Sequence, residues 1–168
     1  MRIATWNIRG WGSKGKKNTV KNLIKEESIE LIGLVETKHS DVSQWDMMRC
    51  WGKQDTDWVH IPATNSSRGL ILTWHKESFV AVNTFLGQRW ISIQGVFEND
   101  NFRCAVCVVY APNDQRGRMT VWDQLRYLKQ HLRLPLLIMG DFNEVVTIDE
   151  RKGEMQFTSR MRELGDLV

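Results

Sequence analysis

LPLLIMGDFN, residues 134–143, is the stretch that decides how this chain is read. Five of the six residues from 134 to 139 are apolar and the sixth, Pro135, sits near the start, which predicts a short strand buried on both faces and ended by Gly140. The Gly-Asp-Phe-Asn that follows sets a carboxylate, Asp141, and a carboxamide, Asn143, two residues apart at the strand tip, on a backbone rigid enough to aim both at one point. By itself the tetrapeptide is equally an ordinary turn, because Gly, Asp and Asn favour turns for local backbone reasons. Its company favours a site. The chain opens with the apolar run IATWN, ending in Asn7; LIGLVET carries Glu36 at its end; VCVVYAPN carries Tyr110. Buried-looking strands therefore end, in order, on Asn7, Glu36, Tyr110 and Asp141 with Asn143.

WNIRG (6–10), VETK (35–38), VVYAPN (108–113) and GDFNEV (140–145), in this order, resemble the endonuclease/exonuclease/phosphatase family, which includes DNase I, exonuclease III and the nuclease domains of non-LTR retrotransposons. The Trp-Asn-Ile-Arg-Gly opening, the Glu-Thr-Lys ending and the Trp-rich middle most resemble the endonuclease domain of plant LINE-type reverse-transcriptase polyproteins. The resemblance runs the length of the chain. It implies an α/β fold: a DNase I-like αββα sandwich of two packed mixed β-sheets with outer helices. It also implies Mg²⁺- or Mn²⁺-dependent hydrolysis of phosphodiesters in DNA. In that reading Glu36 is the metal ligand with Asn7 beside it, and Asp141 orients or deprotonates the attacking water. Asn143 and Tyr110 donate hydrogen bonds to non-bridging phosphate oxygens. A set of carboxylates and carboxamides without thiols suits a hard cation far better than zinc.

Two departures qualify the resemblance. The family carries a Ser-Asp-His motif on its last strand, and none occurs in these 168 residues, so the chain looks like the N-terminal two-thirds of such a domain with C-terminal strands missing. Weak or absent turnover is the expectation, and unpaired sheet edges would favour aggregation. Arg68-Gly69 stands where the family often has Gly-Gly. The competing readings are a non-catalytic remnant of a retroelement and a phosphatase of the same fold.

Length and composition set the outer bounds. At 168 residues and 42% hydrophobic, the chain is sized for one domain with a real core, and residues 1–168 are read as one. A net charge of +3 and a pI near 8.8 lean only slightly towards nucleic acid. Cys50, Cys104 and Cys107 are an odd number with no secretory segment before them, which points to a reducing compartment, cytoplasmic or nuclear. The C-x-x-C of Cys104 and Cys107 is not a zinc half-site: both lie in a predicted strand, where residues three apart point to opposite faces. No apolar run is long enough to span a bilayer, so no membrane partner is expected.

Along the chain, a strand at 2–6 leads into a Gly- and Lys-rich segment, 9–17, that either touches phosphates or is solvated ahead of a helix at 18–27. A strand at 29–35 completes a βαβ unit expected to bring Asn7 and Glu36 together. Val42, Trp45 and Met48 recur at three-residue spacing and predict a short helix within 40–51 packed through them. Runs at 58–63, 69–74, 79–86, 89–97 and 102–110 predict a meander, with turns at 87–88 and 99–101. His60, His75 and His131 fall outside the motifs and are read as packing or surface residues. Residues 116–133 predict a helix packed through Val121, Trp122, Leu125, Leu128 and Leu132; a last helix begins near Ser159 with Met161, Leu164 and Leu167 buried.

Overall fold

A computed structural model describes residues 1–52, 55–64, 68–145, 162, 164–165 and 167. Its elements are β1 (Ile3–Asn7), α1 (Lys14–Glu26), β2 (Leu31–Val35), α2 (Gln44–Trp51), β3 (Thr56–Ala63), β4 (Arg68–His75), β5 (Phe79–Leu86), β6 (Trp90–Phe97), β7 (Phe102–Tyr110), α3 (Gln115–Leu132) and β8 (Leu136–Asp141). The strands form two mixed sheets, in the orders β1-β2-β4-β3 and β5-β6-β7-β8. In each, a βαβ unit supplies the one parallel pair: β1 with β2, and β7 with β8.

The layering follows from strands that are apolar on both faces. In β2, Leu31 and Val35 face the second sheet while Ile32 and Leu34 face α1 and α2. In β7, Cys104, Val106, Val108 and Tyr110 face inwards while Ala105, Cys107 and Val109 pack under α3. Three apolar clusters result, one between the sheets and one under each outer helical layer, which is the expected α/β sandwich. Cys104 and Cys107 lie on opposite faces, and burial pushes the Cys50 thiol up to about 12.

Several local expectations are corrected. The runs from 58 to 110 are not one meander: β3 and β4 join the first sheet, and only β5, β6 and β7 pair in succession in the second. The strand at the centre of the sequence reading, β8, is the edge of its sheet and only partly buried. Gly140 does not end it, since pairing continues through Asp141 opposite Tyr110. α1 begins a turn earlier than predicted because the Ser13 side chain caps it by accepting from the Lys16 N–H. α2 buries Met47, Cys50 and Trp51, while Trp45 and Met48 are exposed, so the three-residue spacing picked the wrong face. α3 buries all five predicted residues. Leu164 and Leu167 are buried, whereas the helix start near Ser159 and the burial of Met161 lie outside the described residues.

Candidate active site

The two βαβ units explain why distant motifs meet. A parallel pair joined by a helical crossover has both C-terminal ends on one edge. Asn7 is paired with Val35, so β1 and β2 deliver Asn7 and Glu36 together; Tyr110 is paired with Asp141, so β7 and β8 deliver those two. β1 also touches β8 across the sandwich. All five predicted site residues are therefore brought to one end of the fold.

Asn7 is the hub. Its Nδ2 donates to Asp141 Oδ2 at 2.9 Å and lies 3.5 Å from Glu36 Oε1, while its Oδ1 accepts from the Arg9 N–H at 3.3 Å. Carboxylates only accept, so the amide nitrogen has to face them. The Tyr110 hydroxyl donates to Glu36 Oε1 at 2.9 Å. The Asn143 N–H donates to Asp141 Oδ1 at 3.1 Å, and its Nδ2 to the Ala111 carbonyl at 2.6 Å. Asp141 thus has each oxygen held by a different segment, which fixes the plane of its carboxylate.

The backbone is under local strain at this end of the fold. Arg9, Glu36, Lys38 and Asn143 all adopt positive φ, near +50°, a conformation costly for residues with a Cβ and frequent at functional sites. Gly140, at φ +138°, lets β8 press against β7: a Cβ there would lie 1.9 Å from the Val109 carbonyl oxygen.

Electrostatics favour an ionised Glu36. Burial alone would raise its pKa, but hydrogen bonds from Tyr110 and Asn7 and the charges of Arg68 and Lys38 outweigh that and hold it below the ordinary carboxylate value. The Tyr110 hydroxyl moves the other way: burial, the bond to Glu36 and the charge of Glu36 raise it, against smaller opposing effects of Arg68 and Asn143. Tyr110 is therefore a donor at neutral pH, never an anion. An open cleft of about 380 Å³, lined by Asn7, Asp141, Asn143 and Glu144 among others, gives access. A larger, more apolar hollow of about 500 Å³ between α1, α2 and the end of β4 contains none of the predicted residues.

Some residues around the site were not singled out from sequence. Arg68 and Lys38 stand 3.7 and 3.9 Å from Glu36 Oε2. Arg118, 5% exposed, pairs with Glu144, 1% exposed, at 3.0 Å and also donates to the Pro112 and Asn113 carbonyls, tying the loop after β7 to the loop after β8. Arg118 precedes Val121 and Trp122 by three and four positions, and that place on the buried face of α3 was the available signal. Lys16 and Lys17 of the basic segment turn inwards: Lys16 Nζ donates to the Ile8 and Arg9 carbonyls, and Lys17 pairs with Asp46. His131 is an exposed residue stacked on Tyr127. Among the described residues no group of three or more His, Cys, Asp or Glu side chains is placed to hold a metal ion.

A family model described as the Endonuclease/Exonuclease/phosphatase family matches residues 4–155. No curated protein matches the chain at a significant level. Among solved structures, the human Nocturnin catalytic domain is similar at 16% identity and TM-score 0.64, over 88% of this chain and 66% of that one. The AP endonuclease LMAP from Leishmania major is similar at 17% identity and TM-score 0.67, over 97% and 64%. The mannosyl-6-phosphatase Bt3783 of Bacteroides thetaiotaomicron VPI-5482 is similar at 12% identity and TM-score 0.67, over 98% and 69%. The chain spans about two thirds of the length of these structures. At such identities the likeness shows the fold, a DNase I-like sandwich of two packed mixed sheets with outer helices.

Proposed function

This chain belongs to the endonuclease/exonuclease/phosphatase family, and from that premise we propose that it hydrolyses phosphodiesters, with DNA as substrate and Mg²⁺ or Mn²⁺ as cofactor. The observation that carries the reading is the convergence of Asn7, Glu36, Tyr110, Asp141 and Asn143, from four strand ends, into one hydrogen-bonded group at an open cleft. The wording of the WNIRG and VETK motifs supports the nuclease branch and, within it, the plant LINE-type endonuclease domain.

The donor set fits a hard cation: oxygens and amides only, with one carboxylate held ionised. Glu36 would hold the ion, with Asn7 beside it. When bound, it neutralises phosphate charge. Asp141, its plane fixed by Asn7 and by the Asn143 N–H, accepts a hydrogen bond from a water and so aims it. Tyr110, whose proton is retained to high pH, donates from the opposite side. Positioning and charge stabilisation of this kind dominate phosphoryl transfer to water.

Without a Ser-Asp-His in the sequence, proton management at the site lacks a histidine, and the loss of a general acid–base group typically removes about two to four orders of magnitude of rate. Slow turnover is therefore part of the proposal. The same absence favours the second reading, a retroelement-derived remnant that binds without hydrolysis. The test is nicking of supercoiled plasmid with Mg²⁺, beside hydrolysis of p-nitrophenyl phosphate as a monoester. Slow nicking, abolished by EDTA and by Asp141→Ala, is expected. Nicking unchanged in Asp141→Ala refutes the site; hydrolysis of the monoester without nicking assigns the chain to the phosphatases; neither activity supports the remnant.

A further inference from the structure

The loop carrying Glu36 is laced to the start of β4. The Thr37 N–H donates to the Gly69 carbonyl at 3.2 Å and the Lys38 N–H to the Arg68 carbonyl at 2.8 Å. Gly69 has φ +78°, and a Cβ there would lie 2.2 Å from Thr37 Oγ1, so the close approach of the two segments depends on glycine. This mount sets the Arg68 guanidinium and the Lys38 ammonium beside Glu36 Oε2, the oxygen that Tyr110 and Asn7 leave alone. At 3.7 and 3.9 Å neither cation is within hydrogen-bonding distance, and at 53% and 51% exposure both are far more open to water than the 13% exposed Glu36. Exposed ion pairs of this length add little to folding stability, so stability does not explain the placement.

The basic segment that the sequence marked for phosphate contact supplies a second observation. Two of its lysines, Lys16 and Lys17, are tied to the fold's own carbonyls and to Asp46. The open cationic group at the rim comes instead from Lys38 and Arg68, the latter standing where a glycine is common in relatives.

We propose that Arg68, assisted by Lys38, binds a phosphate of the substrate chain next to the scissile one, so that the site selects a polynucleotide over an isolated phosphate ester. The proposal rests on the hydrolase reading given above. A guanidinium meets a phosphate through two parallel N–H donors, which an ammonium cannot do, so Arg68 is the specificity residue and Lys38 its electrostatic support. The Arg68 side chain reaches the substrate from the Oε2 side of Glu36, opposite the Asn7 and Asp141 group.

The test uses a labelled duplex oligonucleotide and bis(p-nitrophenyl) phosphate, a diester with a single phosphate. Arg68→Ala, Lys38→Ala, Arg68→Lys and the remote, exposed Arg103→Ala are compared. Binding of the oligonucleotide is followed by anisotropy between about 50 and 200 mM salt, and kcat/KM is measured on both substrates. Arg68→Ala should weaken binding about tenfold, reduce the salt slope by about 1, and lower the ratio of kcat/KM on oligonucleotide to that on the small diester. Lys38→Ala should do the same to a smaller extent, Arg68→Lys should restore the slope in part, and Arg103→Ala should match the wild type. An Arg68→Ala protein indistinguishable from Arg103→Ala overturns the proposal, as does an unchanged substrate ratio or a wild type that does not bind the oligonucleotide. Arg68-dependent binding without hydrolysis of either substrate upholds the phosphate contact and sinks the hydrolase reading instead.

Discussion

Gly140→Ala is the substitution through which fold and site are most directly coupled. The added Cβ would lie 1.9 Å from the Val109 carbonyl oxygen and 2.9 Å from the Val109 N and C atoms, all backbone, so one strand must shift by about 1 Å or more. β7 cannot give, because it is paired on both sides and buried on both faces; β8, an edge strand, moves. Asp141 is the next residue, and its 2.9 Å bond from Asn7 would open to about 4 Å, past hydrogen-bonding range. A non-glycine residue at φ +138° costs about 1–3 kcal/mol and the clash a similar amount, together about 4 kcal/mol. For a chain of this length that lowers Tm by roughly 8–16 °C. A displacement of about 1 Å at the carboxylate lowers the hydrolysis rate about a hundredfold. Urea unfolding followed by tryptophan fluorescence gives the stability, plasmid nicking the rate, and Gly12→Ala is the control, since no atom stands within 4 Å of a Cβ there. A Gly140→Ala protein within about 1 kcal/mol of the wild type, or no less stable than Gly12→Ala, refutes the reasoning.

Removing Glu144 leaves the Arg118 guanidinium buried with only backbone acceptors, so Glu144→Ala should cost about 3 kcal/mol, whereas Arg118→Met with Glu144→Leu should cost far less; equal losses in urea unfolding would contradict this. Calorimetry should show weak Mg²⁺ or Mn²⁺ binding lost in Glu36→Gln and kept in Glu30→Gln, which bonds the Arg2 N–H at the far end of β2; equal affinities would remove Glu36 as the ligand. Because the folded-state pKa of Glu36 is depressed, its contribution to stability is complete above the ordinary value of 4.5 and is lost as pH falls below it. That of Tyr110, whose pKa is raised, is complete below 10 and is lost as pH rises beyond it. Glu36→Gln should therefore flatten the acid limb of a stability-against-pH curve and Tyr110→Phe the alkaline limb, and an acid limb unchanged in Glu36→Gln would show that other carboxylates set it.

Local patterning made the layers and the site motifs readable. β2 and β7 are apolar at consecutive positions because both faces are covered, and that demand is written residue by residue. Asn7, Glu36, Tyr110 and Asp141 stand at or just past strand ends, where a change from apolar to polar marks them, and the βαβ rule alone predicts that Asn7 and Glu36 meet. α2 misled because Val42, Trp45 and Met48 repeat every three residues, although Val42 precedes the helix and only the face of Met47, Cys50 and Trp51 has β4 and α1 to pack on.

The sequence by itself determined which segments are strands, which helices carry apolar stripes, and which polar residues cap the strands, because each follows from neighbours along the chain. Tertiary structure decided how the strands divide between two sheets, and that β8 is an edge rather than a centre. It also decided that Lys16 and Lys17 turn inwards while Arg68 and Lys38 face the cleft, and that Arg118 closes on Glu144. Those outcomes depend on contacts between residues far apart in sequence. The free energy of such a contact depends on distance and burial in the folded molecule, which no local pattern specifies.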